Sequence, residues 1–121
     1  FPILSAMAGA LKFFGKIGII ICWDFAFQES VKKLADKGAQ IVFCPSYLLN
    51  EAEITKEVFR SYPLTRAFEN CVYFISCDTF TDEALSESYV CSPLKVLNKI
   101  RKKEGMIFSD LDLKKLKNLK L

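Results

Sequence analysis

Residues 16–44 read KIGIIICWDFAFQESVKKLADKGAQIVFC, and the order of patterns within this stretch sets the fold class. Lys16–Cys22 (KIGIIIC) is a continuous apolar, largely β-branched run, the signature of a strand buried on both faces. Gln28–Lys37 then switches to helical spacing, with Phe27, Val31, Leu34 and Ala35 on the inner side and Lys32, Lys33 and Lys37 outside. Gly38 sits where a helix C-cap glycine belongs. Ala39–Cys44 (AQIVFC) is a second buried strand, stopped by Pro45. A strand–helix–strand unit with connections this short is expected to be a right-handed parallel crossover, which makes the class α/β.

Working outward, Asn50 opens a helix with Glu53 as its capping-box partner, and Ile54, Val58 and Phe59 form its inner stripe. Pro63 is expected to kink or restart that helix, because its ring removes a donor and clashes with the preceding turn. Leu64, Ala67 and Phe68 resume the stripe, and Cys71–Cys77 (CVYFISC) is a third buried strand. Asp78–Glu87 reads as an acidic, exposed loop. Ser88–Ser92, Val96–Ile100 and Met106–Leu111 then read as the short strands of a β-meander. No internal repeat or low-complexity segment interrupts the pattern.

The chain has 121 residues, 51% hydrophobic and 26% charged, which suits one globular unit with a real core. It has no His, so no Ser-His or Cys-His pair can activate a nucleophile and no imidazole can bind a metal. Any nucleophile must take its base from a carboxylate or an amine. The five Cys (Cys22, Cys44, Cys71, Cys77, Cys91) contain no C-x-x-C pair and sit mostly in apolar or β-like stretches, the usage of reduced thiols, so the expected compartment is cytoplasmic. Residues 95–121 carry nine Lys/Arg against three acids, whereas residues 1–94 are net −3. Lys114, Lys115 and Lys117 surround Leu113 and Leu116, the pattern of a solvated face on a short terminal helix. No nucleic-acid partner is therefore expected. Lys12 and Lys16 interrupt the apolar N-terminal stretch, so no membrane partner is expected, and Phe1–Leu11 lacks the basic start of a signal peptide.

The candidate chemistry lies at Ile19-Ile20-Ile21-Cys22-Trp23-Asp24. A Cys at the carboxyl end of a strand, just before a turn and a helix, stands where α/β folds present catalytic groups. The backbone N–H of Trp23 could there point at a developing oxyanion. Taken alone, a Cys ending an apolar strand is more often a small core residue. Asp24 and Glu29 are likewise more often a turn residue and a helix-start carboxylate than general bases.

A wider constellation adds to this. Gly15-Lys16-Ile17-Gly18 through Cys22-Trp23-Asp24, then Phe27-x-Glu29, then Gly38-Ala39-x-Ile41-Val42-x-x-Pro45-Ser46, resembles the nucleophile block of the nitrilase superfamily of carbon–nitrogen hydrolases. Arg66-Ala67-Phe68-Glu69-Asn70 is similar to that family's R-A-x-E-N helix end, and Ser88–Pro93 and Glu104–Leu113 are similar to its closing strands. The resemblance runs from Lys16 to Leu116. It implies one half of a four-layer α-β-β-α sandwich, with residues 1–121 as a single partial domain that contains the nucleophilic cysteine. It also implies a catalytic Glu and Lys upstream, in an N-terminal half absent from this chain. Phe1, in place of Met, agrees with that expectation.

By the same resemblance Cys22 is the nucleophile and the Trp23 N–H an oxyanion donor. Asp24, Phe27, Glu29, Ser46, Tyr47, Glu69 and Asn70 line or support the pocket. The implied substrate is a small amide or carbamoyl compound, less readily a nitrile. No metal or organic cofactor is implied, and a homo-oligomer is. Four departures stand out: Gln28 replaces a Pro, Asp78 stands where many members have Asn, Lys95 replaces a turn Gly, and Leu48-Leu49 replace an aromatic. The rival reading is a non-catalytic scaffold or interaction piece.

Overall fold

A computed structural model describes residues 15–49 and 53–119 of the chain. Lys12 and the Asn50 cap lie outside the described residues, as does the segment read against a signal peptide. The side chains of Glu53 and Ile54 are likewise not described. Among the described residues five strands form one sheet in the order β1-β2-β3-β4-β5: β1 (Ile17–Ile19), β2 (Ile41–Ser46), β3 (Tyr73–Asp78), β4 (Glu87–Cys91) and β5 (Val96–Arg101). The first three strands run parallel, and β4 and β5 add antiparallel neighbours, so the sheet is mixed. Among the described residues three α-helices accompany it, α1 (Gln28–Asp36), α2 (Glu53–Asn70) and α3 (Leu113–Asn118), with a 3₁₀ turn at Cys22–Ala26.

The parallel strand–helix–strand unit is present, and α1 covers the expected Gln28–Lys37 closely. Gly38 follows with φ +95°, and its N–H donates to Ala35 O at 2.9 Å, so it closes the helix as the sequence indicated. Helices α1 and α2 cover the sheet face bearing Gly18, Ile20, Val42, Cys44, Phe74 and Cys91, all buried. Phe59 and Ala67 of α2 and Val31 and Leu34 of α1 complete this core. Fully buried side chains such as Phe25 and Phe74 each contribute roughly 1.5–3 kcal/mol. Gly18 is required by close approach: a Cβ there would meet Leu34 Cδ1 at 2.7 Å. The opposite face carries Ile17, Ile19, Ile41, Phe43 and Ile75, all half-buried.

Several expectations are corrected. The first strand is three residues long, stands at the edge of the sheet among the described residues, and is buried on one face only, Ile17 and Ile19 being half-buried on the other. Pro45 does not stop the second strand: it pairs with Cys77 inside β2. Ile41 N and Phe43 O both bond toward β1, so the Pro45 nitrogen also faces that side, beyond the end of β1, where no ladder donor is needed. Pro63 lies within one continuous helix, α2. The buried stripe of α2 is Phe59, Pro63, Arg66 and Ala67, while Val58 and Phe68 are exposed because they sit one residue off that stripe. Phe27 is exposed as well, since it is the cap residue before α1 rather than part of its inner face.

The 78–87 segment is only partly a surface loop, because Ala84, Leu85, Ser86 and Glu87 are buried. Residues 104–110 form no strand; Met106 and Phe108 are each 77% exposed, and this stretch is tied down by Asn98 Nδ2 donating to Phe108 O at 2.9 Å. Lys95, expected to stand at a position that suits a turn glycine, needs no glycine here, since its φ is not positive and the turn is closed by Lys95 N and Leu94 N donating to Ser92 Oγ. The terminal helix is as read: Asp112 accepts from Lys114 N and Lys115 N, Leu116 is buried, and the three lysines point to solvent.

Candidate active site around Cys22

β1 ends at Ile19, and one further ladder bond, Ile20 N to Phe43 O at 2.9 Å, carries the chain to the edge of the sheet. Cys22 then begins the 3₁₀ turn with φ +52°, a left-handed conformation that costs a non-glycine residue roughly 1–2 kcal/mol. A left-handed residue at a strand-to-helix turn lifts its side chain away from the sheet, as a nucleophile requires. The turn is held from inside by Asp24, whose Oδ2 accepts from Ile21 N at 3.2 Å while its own N–H donates to Ile21 O. Asp24 is thus a cap of the turn, the structural role weighed for it.

The surroundings of Cys22 come from the ends of neighbouring strands. Its thiol donates to Tyr47 O at 3.7 Å, and the thiol of Cys44 donates to Cys22 O at 3.6 Å. Ser46 Oγ lies 3.6 Å from that second thiol and bonds Cys44 O at 3.3 Å, so Ser46 supports Cys44. Burial pushes the Cys44 thiol up to about 11, which keeps it a protonated donor. The Tyr47 ring is partly exposed, and its hydroxyl donates to Glu83 Oε2 at 3.2 Å. Trp23 is 52% exposed and meets the Phe59 ring edge-on at 5.4 Å. Its N–H and that of Cys22 precede the first internal bond of the turn, so neither has an acceptor within it.

Glu69 and Asn70 engage Arg66 rather than Cys22: Arg66 Nη1 donates to both Glu69 oxygens, at 3.1 and 2.9 Å, and Asn70 Nδ2 donates to Arg66 O at 3.1 Å. Phe27 and Glu29 follow the turn and are exposed, Glu29 in the first turn of α1, where a carboxylate suits the helix dipole. The structure therefore gathers Cys22, Trp23, Asp24, Ser46 and Tyr47 into one neighbourhood.

Three residues that sequence reasoning did not place in the site belong to its framework. Arg66 donates to Phe25 O at 2.8 Å and Ala26 O at 3.0 Å, at the far end of the cysteine's turn. Cys44 bonds the Cys22 carbonyl. Asp78 gathers Leu48 N, Thr79 N and Ser86 N, at 3.0, 3.0 and 2.7 Å, and so fixes the chain beside Tyr47. Two of them carried a signal in the sequence: Arg66 as the first residue of the stretch similar to an R-A-x-E-N helix end, and Asp78 as one of the four departures; Cys44 read only as part of a buried strand.

Two cavities lie away from Cys22. One, of about 540 Å³, is lined by Ile75, Cys77, Val90, Ile100 and Met106 among others; another, of about 600 Å³, lies by Tyr73, Leu94, Leu97 and α3. Among the described residues no three His, Cys, Asp or Glu side chains are grouped to hold a metal ion, and no helix is long and apolar enough to cross a membrane.

The family model described as carbon-nitrogen hydrolase matches residues 5–121. A probable nitrilase of Schizosaccharomyces pombe is 34% identical over 113 residues, which are 88% of this chain and 40% of that protein. The omega-amidase of Homo sapiens is 30% identical over 112 residues, 87% of this chain and 40% of that protein. Among solved structures, Nit3 of Saccharomyces cerevisiae, a member of branch 10 of the nitrilase superfamily, superposes with a TM-score of 0.77 at 27% identity, covering 85% of this chain and 40% of that one. The chain thus spans about 40% of the length of these relatives.

Proposed function

The chain belongs to the carbon-nitrogen hydrolase family, and from that premise we propose that it carries the nucleophile, Cys22, of an enzyme that hydrolyses small amides. The observation that carries this reading is the left-handed Cys22 at the head of a turn fixed at both ends. In the proposed reaction the Cys22 thiolate attacks the amide carbon, and the carbonyl electrons move onto oxygen beside the Trp23 N–H. Collapse of that intermediate expels ammonia or an amine, which takes up a proton, and leaves a thioester on Cys22. Water then attacks the thioester, the acid departs, and the thiol is restored.

The relatives include a protein named omega-amidase and one named probable nitrilase, so the substrate class proposed is a small amide or carbamoyl compound, with a nitrile second. The base that takes the thiol proton and the cation that steadies the oxyanion are assigned to a Glu and a Lys in a preceding half of the domain. That half would pack on the sheet face opposite α1 and α2. A homo-oligomer in the cytoplasm completes the proposal. The second reading, a non-catalytic interaction piece, draws on one observation: among the described residues the polar contact of the Cys22 thiol is a carbonyl acceptor, not a base.

The test is an assay of the full-length protein against small amides, with and without Cys22→Ala. Hydrolysis that disappears in the alanine variant supports the first reading. Undiminished hydrolysis by that variant would sink it, and no hydrolysis by either protein would favour the second.

A further inference from the structure

Arg66 is 6% exposed and stands in a stripe of α2 that is otherwise apolar. A guanidinium in such a place is tolerated only when its donors are paired. Its fork is divided among three partners: Nε to Phe25 O at 2.8 Å, Nη2 to Ala26 O at 3.0 Å, and Nη1 to both oxygens of Glu69. The guanidinium also lies 5.0 Å from the centre of the Tyr62 ring. Phe25 and Ala26 are the last residues of the 3₁₀ turn, whose carbonyls a helix end leaves without internal donors. One end of this five-residue turn is the left-handed Cys22, and the other is held by Arg66. A turn this short cannot rotate at one end without moving the other.

The geometry points to Arg66 as a positioning residue for Cys22, acting through the 3₁₀ turn and held in aim by Glu69. This role rests on the reading of Cys22 as the nucleophile. Arg66 touches neither the thiol nor a substrate. It supplies two charge-assisted hydrogen bonds that keep the turn wound while Cys22 occupies an unfavourable conformation. Glu69 neutralises the buried charge and fixes the rotation of the fork, so the similarity at Arg66 through Asn70 acquires a mechanical meaning.

The test measures how fast iodoacetamide alkylates Cys22 in the folded full chain at neutral pH, resolved by mass spectrometry, with exposed Cys77 as the internal reference. Arg66→Met is expected to slow Cys22 about tenfold or more relative to Cys77, since an unclamped turn lets Cys22 relax from its left-handed conformation and turns the thiol back against the sheet. Arg66→Lys keeps a cationic donor and is expected to recover part of that loss. A merely structural role predicts the opposite sign: a loosened turn leaves Cys22 alkylated at the parent rate or faster, and that result overturns the proposal.

Should Arg66→Met not fold, Arg66→Lys and Glu69→Gln decide. Both are expected to slow Cys22, and parent rates in both overturn the positioning role. The two readings fail separately. Undiminished hydrolysis by Cys22→Ala removes the nucleophile and the positioning role together, whereas parent-like alkylation in the Arg66 variants removes the positioning role alone.

Discussion

Cys22 and Cys44 are joined by a single hydrogen bond, yet their thiols face different media. Cys44 is fully buried under the helices, and burial, partly offset by the Ser46 hydroxyl, pushes its thiol up to about 11. Cys91 is fully buried as well, and burial alone pushes it up to about 12. At pH 8 a thiol of pKa about 11 is ionised only about once in a thousand molecules, and it is the thiolate that reacts. Site-resolved alkylation of the native chain at pH 8 is therefore expected to modify Cys77 and Cys22 and to spare Cys44 and Cys91 until denaturant is added. Rapid labelling of Cys44 in the folded chain would contradict its burial. At this scale the sequence showed that Cys22 stands at the head of a turn, because KIGIIIC runs into a strand-to-helix connection. It did not show what holds the thiol, because the clamp joins Arg66 to a carbonyl 41 residues away in the chain.

Glu87, which opens β4, fastens three elements together. Its side chain is 0% exposed, and its Oε1 lies 2.9 Å from Arg60 Nε of α2 and 2.9 Å from Arg101 Nε of β5. The Tyr89 hydroxyl donates to the same carboxylate at 2.7 Å. Burial alone would raise this carboxyl; the hydrogen bonds from Arg60 and Tyr89 and the charges of Arg60 and Arg101 outweigh it and hold it below the ordinary carboxylate range. A carboxyl lowered on folding stabilises the fold at pH above its unfolded value of about 4.3, and that stabilisation is lost as pH falls through the lower folded value. Glu87→Gln is expected to cost about 2 kcal/mol at pH 7, the low side of a broken buried pair, because both arginine side chains are more than 40% exposed and regain water. Denaturant titrations should show the gap between parent and variant narrowing below pH 4; a gap constant between pH 7 and pH 3 would refute the ionised network. The element boundaries that misled share this character. Pro45 is permitted inside β2 only because β1 stops short, and residues 78–87 are half-buried only because Asp78 and Ser86 bond across the loop. Periodicity along the chain carries neither fact.

At the scale of the whole molecule, the order of strands and helices was legible as far as β5, the strand expected at Met106–Leu111 does not form, and the surface was not legible. The run of apolar strands with a helix between them pointed to a parallel unit, and that unit is present, with one face buried under α1 and α2 and the other half-buried. What the pattern could not say is which apolar side chains remain in water. Ile21, Trp23 and Phe27, all within five residues of Cys22, are 60, 52 and 53% exposed, and Met106 and Phe108 are more exposed still. Single exposed apolar residues are ordinary on a protein surface, but a cluster beside a site signals surface made to be covered. If these side chains face solvent in the isolated 121-residue chain, the folded protein should bind the dye ANS at neutral pH and melt cooperatively in the same buffer. The second measurement is essential, because a molten state also binds the dye but has lost fixed packing. Trp23 is the sole tryptophan of the chain, so its emission supplies an independent reading of the same surface. Exposure predicts a native spectrum close to that of the denatured chain and open to quenching by small solutes. A blue-shifted, unquenched Trp23 together with no dye binding would show that the surface around Cys22 is covered in solution, and the site would then have to be redrawn with that cover in place.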